Sequence, residues 1–237
     1  MTQSSQSAES TALQSTSDHD LRVACYCEEN AWRVAYRHLH TDIDNNIGDN
    51  RDWKYYIVFI SNNDKCCPMF RQRAMPKDDP NGYVCWDYHV IVMRSTVITT
   101  DNIIASEILD IDTWIEPYQV PLETYLDESF PHAADPNFNN QYLPLFNVVR
   151  AEDFIRDFYS DRMHMFKDGK WSSPPPEYPP IMNGLKHNKL GSKETTDGLT
   201  GSNLDSYIQM QGESKHVFTL AEMYERSMHS NKKEWTE

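Results

Sequence analysis

Val84-Cys-Trp-Asp-Tyr-His-Val-Ile-Val-Met93 is the stretch on which the reading of this chain turns. Trp86, Tyr88, Val90 and Val92 alternate with Cys85, Asp87, His89 and Ile91, the period of two that a β-strand imposes on its faces. A strand is therefore expected over 84–93, with Asp87 and His89 on the same side. Ten residues on, Ile103 to Leu109 reads as a second strand, ending in Asp110-Ile-Asp112, and polar Thr99 to Asn102 reads as the hairpin turn between them. Opposed residues in an antiparallel pair sum to a constant, so a turn centred near Thr100 sets His89 against Asp110 or Asp112. The register does not choose between the two acids.

Working outward, Lys54 to Ile60 reads as a strand, followed by a Cys-Cys-Pro turn, and Thr41 to Arg51 as an Asp/Asn/Gly-rich loop. From Cys27, Trp32, Ala35, Tyr36 and Leu39 recur at helical spacing, with Glu28 and Glu29 in the first turn where the dipole favours anions. Cys27 is thereby expected at a helix N-terminus. Downstream, Ala151 to Tyr159 reads as helix, and Ser172 to Pro180 as extended because proline lacks an amide donor. Asn203 is expected to open a short helix, and Thr219-Leu-Ala-Glu222 is a capping-box pattern at the start of a last one. A helix, then strands, then short helices and loops point to an α+β fold with a mainly antiparallel sheet. Residues 1–19 carry hardly any large apolar side chain and are expected to be a disordered polar tail. Residues 20–237 are then a single domain, with a polar insertion at about 183–202.

The 237 residues include 36 acidic and 22 basic ones, a net charge of −14 that disfavours a nucleic-acid partner. The apolar run Tyr55 to Ile60 is too short to span a membrane, and the first twenty residues lack the apolar core of a secretory signal, so a soluble intracellular protein is expected. The five cysteines Cys25, Cys27, Cys66, Cys67 and Cys85 are odd in number and bunched, a poor disulfide framework. Their spacing also departs from the two-to-four-residue gaps of zinc sites, and no metal is expected. Gly-rich phosphate loops, H-E-x-x-H and G-x-S-x-G are missing from the sequence.

Cys27 is the candidate nucleophile, because unpaired helix-start amides stabilise a thiolate; its acidic neighbours oppose that, and a buried structural cysteine is the plainer alternative. His89 is the candidate base, oriented by a carboxylate across the hairpin.

Cys25-Tyr-Cys-Glu-Glu-Asn30 and Trp86-Asp-Tyr-His-Val90, read together, resemble the protein N-terminal glutamine amidohydrolase family with its WDYHV signature. The resemblance continues through Val58-Phe-Ile-Ser-Asn62, Asp110-Ile-Asp112, Ser160 to Met165 and Pro174 to Pro179. It implies a papain- or transglutaminase-like cysteine hydrolase core with Cys27 as nucleophile, His89 as base and Asp110 as the orienting acid. It further implies deamidation of N-terminal glutamine through a thioester, protein or peptide substrates, no cofactor, a monomer in cytoplasm and nucleus, and a place in the N-degron pathway. A group that senses the free α-ammonium is required, for which Asp87 is the candidate, and Tyr26 is expected to line the mouth of the site. Related thiol chemistry (a cysteine protease or a transglutaminase) and a non-catalytic reader of protein N-termini are the alternatives.

Overall fold

The computed structural model describes residues 6–41, 51–79, 81–98, 103–188, 200–212, 216–228 and 235–236. Its centre is a six-stranded sheet whose order follows from the pairings of β1 (Lys54–Ser61), β4 (His89–Ile98), β5 (Ile103–Leu109), β6 (Val120–Pro121), β7 (Leu145–Arg150) and β10 (Val217–Thr219). That order is β10-β7-β1-β4-β5-β6, and every neighbouring pair is antiparallel. The sheet is open. Two small hairpins lie apart from it, β2 (Cys67–Phe70) with β3 (Tyr83–Trp86) and β8 (Phe166–Lys167) with β9 (Lys170–Trp171).

The continuous apolar run of β1 is explained by its central position. Tyr55, Ile57 and Phe59 face one core with Val90, Val92 and Leu109, while Tyr56, Val58 and Ile60 face the other with Ile91, Met93 and Ile108. A sheet covered on both faces needs apolar side chains on both, which is why β1 does not alternate in polarity. The first core is closed by helix α2 (Cys27–His40), through Trp32 and Ala35, and by the helix Ala151–Asp157, through Phe154. The second is closed by the helices Leu122–Ser129 and Leu220–Met228. The last of these opens with the expected capping box: the Thr219 amide donates to Glu222 and the Glu222 amide to Thr219 Oγ1.

Three expectations are corrected. The stretch 84–93 is two strands: β3 ends at Trp86 and β4 begins at His89. Between them, Asp87 Oδ1 accepts from the Tyr88 amide and Ser61 Oγ donates to the Asp87 carbonyl, local bonds that replace ladder bonds and let the chain pass from one sheet to the other. Secondly, the segment expected to be a tail contains α1 (Ala8–Gln14), capped by Ser7, with Ala8 and Ala12 buried against α2. It is followed by a turn in which buried Asp18 is bound by Arg37, His38 and Tyr118. Thirdly, Cys66 and Cys85 form a disulfide joining the β2–β3 hairpin, and Cys67 and Pro68 are strand residues rather than a turn. Cys25, Cys27 and Cys67 are free. The hairpin turn 99–102, most of the loop 41–51 and positions 189–199 of the expected insertion lie outside the described residues; of that insertion, Asn183–Asn188 is helical.

Candidate active site

The β4–β5 register sums to 201, as in Val92↔Leu109, so the start of β4 and the end of β5 meet at one end of the sheet. There His89 Nε2 lies 3.1 Å from Asp110 Oδ2, both groups buried. The same Asp110 oxygen accepts from Tyr125 at 2.8 Å, and Oδ1 accepts from the Asp112 amide at 2.8 Å. Burial alone would raise the Asp110 carboxyl, but charge and hydrogen bonding from His89, with Tyr125 and the Asp112 amide, hold it below its ordinary range. Burial would likewise depress His89, and Asp110 reverses this, raising the ring. With Asp110 ionised, Nε2 carries the proton of that bond and Nδ1 is the basic nitrogen.

Asp112, the other acid left open by the hairpin arithmetic, is held by Arg22 at 2.6 Å and by Asn30 at 3.2 Å. It does not bond to the histidine. The sum of 201 sets position 112 opposite 89 on paper, but the ladder ends at Val92–Leu109 and the chain turns, which brings the carboxyl of residue 110 to the ring instead.

Cys27 is the first residue of α2, as its helical spacing predicts. Its thiol and His89 line the same cavity of about 840 Å³, together with Asp87, Tyr88, Asp112 and His164. The Val90 amide, next to His89 in the chain, supports a thiolate on this sulfur, but burial, then Glu28 and Asp112, outweigh it and push the thiol well above its ordinary value. The resting sulfur is therefore protonated at neutral pH, and becoming a nucleophile requires a base to take its proton.

Asp87 is exposed at the cavity rim. Tyr26 is not at the mouth: it is fully buried, and its hydroxyl donates to the Ser173 carbonyl. With Ser173 Oγ donating to Ala24, this bond fastens the proline-rich segment to the turn that delivers Cys27. Trp86 and Tyr88, which a single uninterrupted strand would send into the core, also line the cavity, with Trp86 stacked on the His89 ring at 5.9 Å.

Residue-by-residue reading missed a second layer. Glu29 and Arg162 form a buried bidentate pair at 2.7 and 2.8 Å, and Arg162 also donates to the Pro176 and Tyr178 carbonyls. The Cys-Glu-Glu, Ser-Asp-Arg and proline-rich segments, distant in sequence, converge on this one guanidinium. Glu28 is fully buried beside the thiol; its Oε2 lies 3.7 Å from Cys27 Sγ and 3.1 Å from the Tyr88 hydroxyl. Two consecutive acids facing the core at a helix start, followed by a distant arginine in a polar motif, were the available signal. Among the described residues no group of three or more His, Cys, Asp or Glu is arranged to hold a metal, and no helix is long and apolar enough to cross a membrane.

The family model described as N-terminal glutamine amidase matches residues 22–230, a span that includes every residue of this constellation. The chain belongs to that family. It is 36% identical over 180 residues to the protein N-terminal glutamine amidohydrolase of Homo sapiens, covering 75% of this chain and 79% of the relative. The like-named Bos taurus protein is 35% identical over 180 residues, covering 75% and 78%, and that of Drosophila grimshawi 32% identical over 200, covering 82% and 90%. Helix α1 and the segment up to Leu21 precede the span matched by the family model.

Proposed function

We propose that this chain hydrolyses the side-chain amide of an N-terminal glutamine on a protein or peptide, leaving glutamate and ammonia. Family membership and the names of the relatives support the substrate class. The observation that carries the mechanism is the 3.1 Å contact from His89 Nε2 to Asp110 behind a cavity that Cys27 shares. His89 Nδ1 takes the thiol proton as sulfur attacks the amide carbon, and the imidazolium returns a proton to the departing ammonia. Water, deprotonated by the same nitrogen, then opens the thioester and restores the thiol. Asp110 holds the ring in the tautomer that leaves Nδ1 basic and stabilises the cation formed in each half-reaction. The oxyanion is met by the Cys27 backbone amide at the first turn of α2. This is the papain-like division of labour, thiol on a helix start and histidine on an antiparallel strand. Asp87 adds negative potential at the rim, where it favours the approach of a peptide's α-ammonium. The product, a new N-terminal glutamate, is suited to the N-degron pathway.

The test is mass spectrometry of peptides beginning with Gln, peptides beginning with Asn and peptides with only internal Gln, incubated with wild type and Cys27→Ala. A gain of about one dalton on the Gln-starting peptide alone, with ammonia released and lost in the variant, is expected. Turnover surviving Cys27→Ala overturns the mechanism; cleavage or amine transfer in place of deamidation overturns the reaction.

A further inference from the structure

Beside the thiol sits a carboxylate whose hydrogen bonding is half complete. Glu28 is fully buried, and its Oε2 is occupied by Tyr88 and the Cys27 thiol. Its Oε1 is buried without any hydrogen-bond partner. His164 Nε2 lies 3.7 Å from it, too far for a hydrogen bond, and both ring nitrogens of His164 are also buried and unpartnered. A buried oxygen left without a hydrogen bond is destabilising, more so if charged, so leaving one beside two unmatched imidazole nitrogens is unfavourable unless a bound group satisfies them. Three residues in contact with or near this carboxyl, Cys27, Tyr88 and His164, line the cavity.

Resting on the function proposed above, and naming the group that restricts it to a chain terminus, we propose that Glu28 Oε1 receives the α-ammonium of the substrate's terminal glutamine, with His164 closing the far side of that subsite. The dimensions agree. Four bonds of about 1.5 Å separate the α-nitrogen from the amide carbon, so the two atoms are at most about 5 Å apart. A carbon at about 3–3.5 Å from Cys27 Sγ and a nitrogen at about 2.8 Å from Oε1 bracket that span, because Oε2 of the same carboxyl is 3.7 Å from the sulfur. The charges agree as well. Burial, then Glu29, push Glu28 up to about 8 in the ligand-free protein, and an ammonium seated on it favours the charged form and draws it back down. Burial lowers His164, which keeps a resident cation from taking the place of the substrate's. The other acids are less suited. Asp112 is already paired with Arg22, and Asp87 is exposed with Oδ1 engaged by the Tyr88 amide. An internal glutamine, or a terminal one whose amine is acylated, brings no cation and leaves this carboxyl unsatisfied.

The experiment compares a peptide starting with glutamine and the same peptide acylated with glutaric acid monoamide, which keeps the reacting amide and lacks only the α-amine. The wild type is expected to favour the first in kcat/KM. Glu28→Gln retains the shape and an acceptor for Tyr88, and is expected to shrink that preference by about a hundredfold, the effect of removing one partner of a desolvated charge pair. His164→Lys, which installs a fixed cation beside Oε1, is expected to shrink it in the same direction and serves if the first variant fails to fold. Calorimetric binding of both peptides to Cys27→Ser, with and without Glu28→Gln, reads recognition apart from chemistry. A preference retained in Glu28→Gln, an equal loss on both peptides, or a collapse produced by Asp87→Asn instead overturns the assignment. Absence of any turnover by the wild type, with amine-dependent binding intact, overturns the proposed reaction and leaves the recognition subsite standing.

Discussion

Asp110→Asn is the substitution that most directly separates an orienting carboxylate from a merely buried one. The side chain accepts three hydrogen bonds: from His89 Nε2 (3.1 Å) and Tyr125 (2.8 Å) at Oδ2, and from the Asp112 amide (2.8 Å) at Oδ1. An amide of the same shape has a single accepting oxygen. If its nitrogen takes the Oδ1 position it opposes the Asp112 N–H, donor against donor. If it takes the Oδ2 position it forces His89 Nε2 to become an acceptor, which moves the ring proton to Nδ1 and removes the base. The first orientation loses one buried hydrogen bond, about 1–3 kcal/mol of stability, or roughly 2–10 °C in Tm for a chain of this size, and the second keeps its bond to the ring only in the wrong tautomer. The effect on catalysis is larger. The wrong tautomer and the lost charge behind a forming imidazolium are expected to lower kcat about 10³–10⁴-fold, or about 4–5.5 kcal/mol of barrier, the scale known for the corresponding change in serine triads. Ammonia release from a Gln-starting peptide gives kcat, and the rate of Cys27 alkylation by iodoacetamide reports the base independently of turnover. A variant that folds, as judged by its near-ultraviolet dichroism, and retains kcat within tenfold of wild type would refute this account of His89.

Three further outcomes follow from the same geometry. Arg162→Met leaves Glu29, fully buried, without its bidentate partner and should destabilise the protein by about 3–5 kcal/mol in urea unfolding, whereas the double variant with Glu29→Gln should regain part of that loss; an additive double variant would contradict the pairing. The stability margin of wild type over Asp110→Asn should depend on pH at both ends. His89 is raised above its ordinary 6.5, so its contribution is complete below that value and lost as pH rises through the folded value; Asp110 is lowered from 3.8, so its contribution is present above 3.8 and lost as pH falls through its folded value. A margin that is flat from pH 3 to 9 by denaturant titration would count against the pair. Ala12→Glu introduces a charge where Ala12 is completely buried against α2 and should cost about 2–4 kcal/mol; a thermal scan identical to wild type would return residues 8–14 to the status of a tail.

Much of the fold was legible locally, and the reasons differ by element. The period-3.6 pattern after Cys27 placed the thiol at the first position of α2, because helix starts are written in nearby residues. The Thr219–Glu222 box is equally local. The hairpin sum brought His89 and the Asp110–Asp112 pair together because antiparallel pairing is arithmetic once a turn is located. Other features had no local record. Asp18 is an acid in a Ser- and Thr-rich stretch, and only Arg37, His38 and Tyr118, brought to it by α2 and a distant loop, anchor the segment that composition assigns to disorder. Tyr26, adjacent to Cys27 in the chain, is carried away from the mouth by its bond to Ser173.

What the sequence by itself determined is therefore the set of elements and the chemical types available at their ends: a thiol on a helix start, a histidine at a strand start, acids where the next strand ends. What only the tertiary structure decided is which of those groups meet. The end of the β4–β5 ladder selected Asp110 over Asp112, the break at Asp87-Tyr88 turned two aromatic residues into the cavity wall, and packing against α2 sealed Glu28 beside the sulfur. Periodicity records which side of an element is apolar. It does not record where two elements end relative to each other, and distances between reactive atoms depend on that.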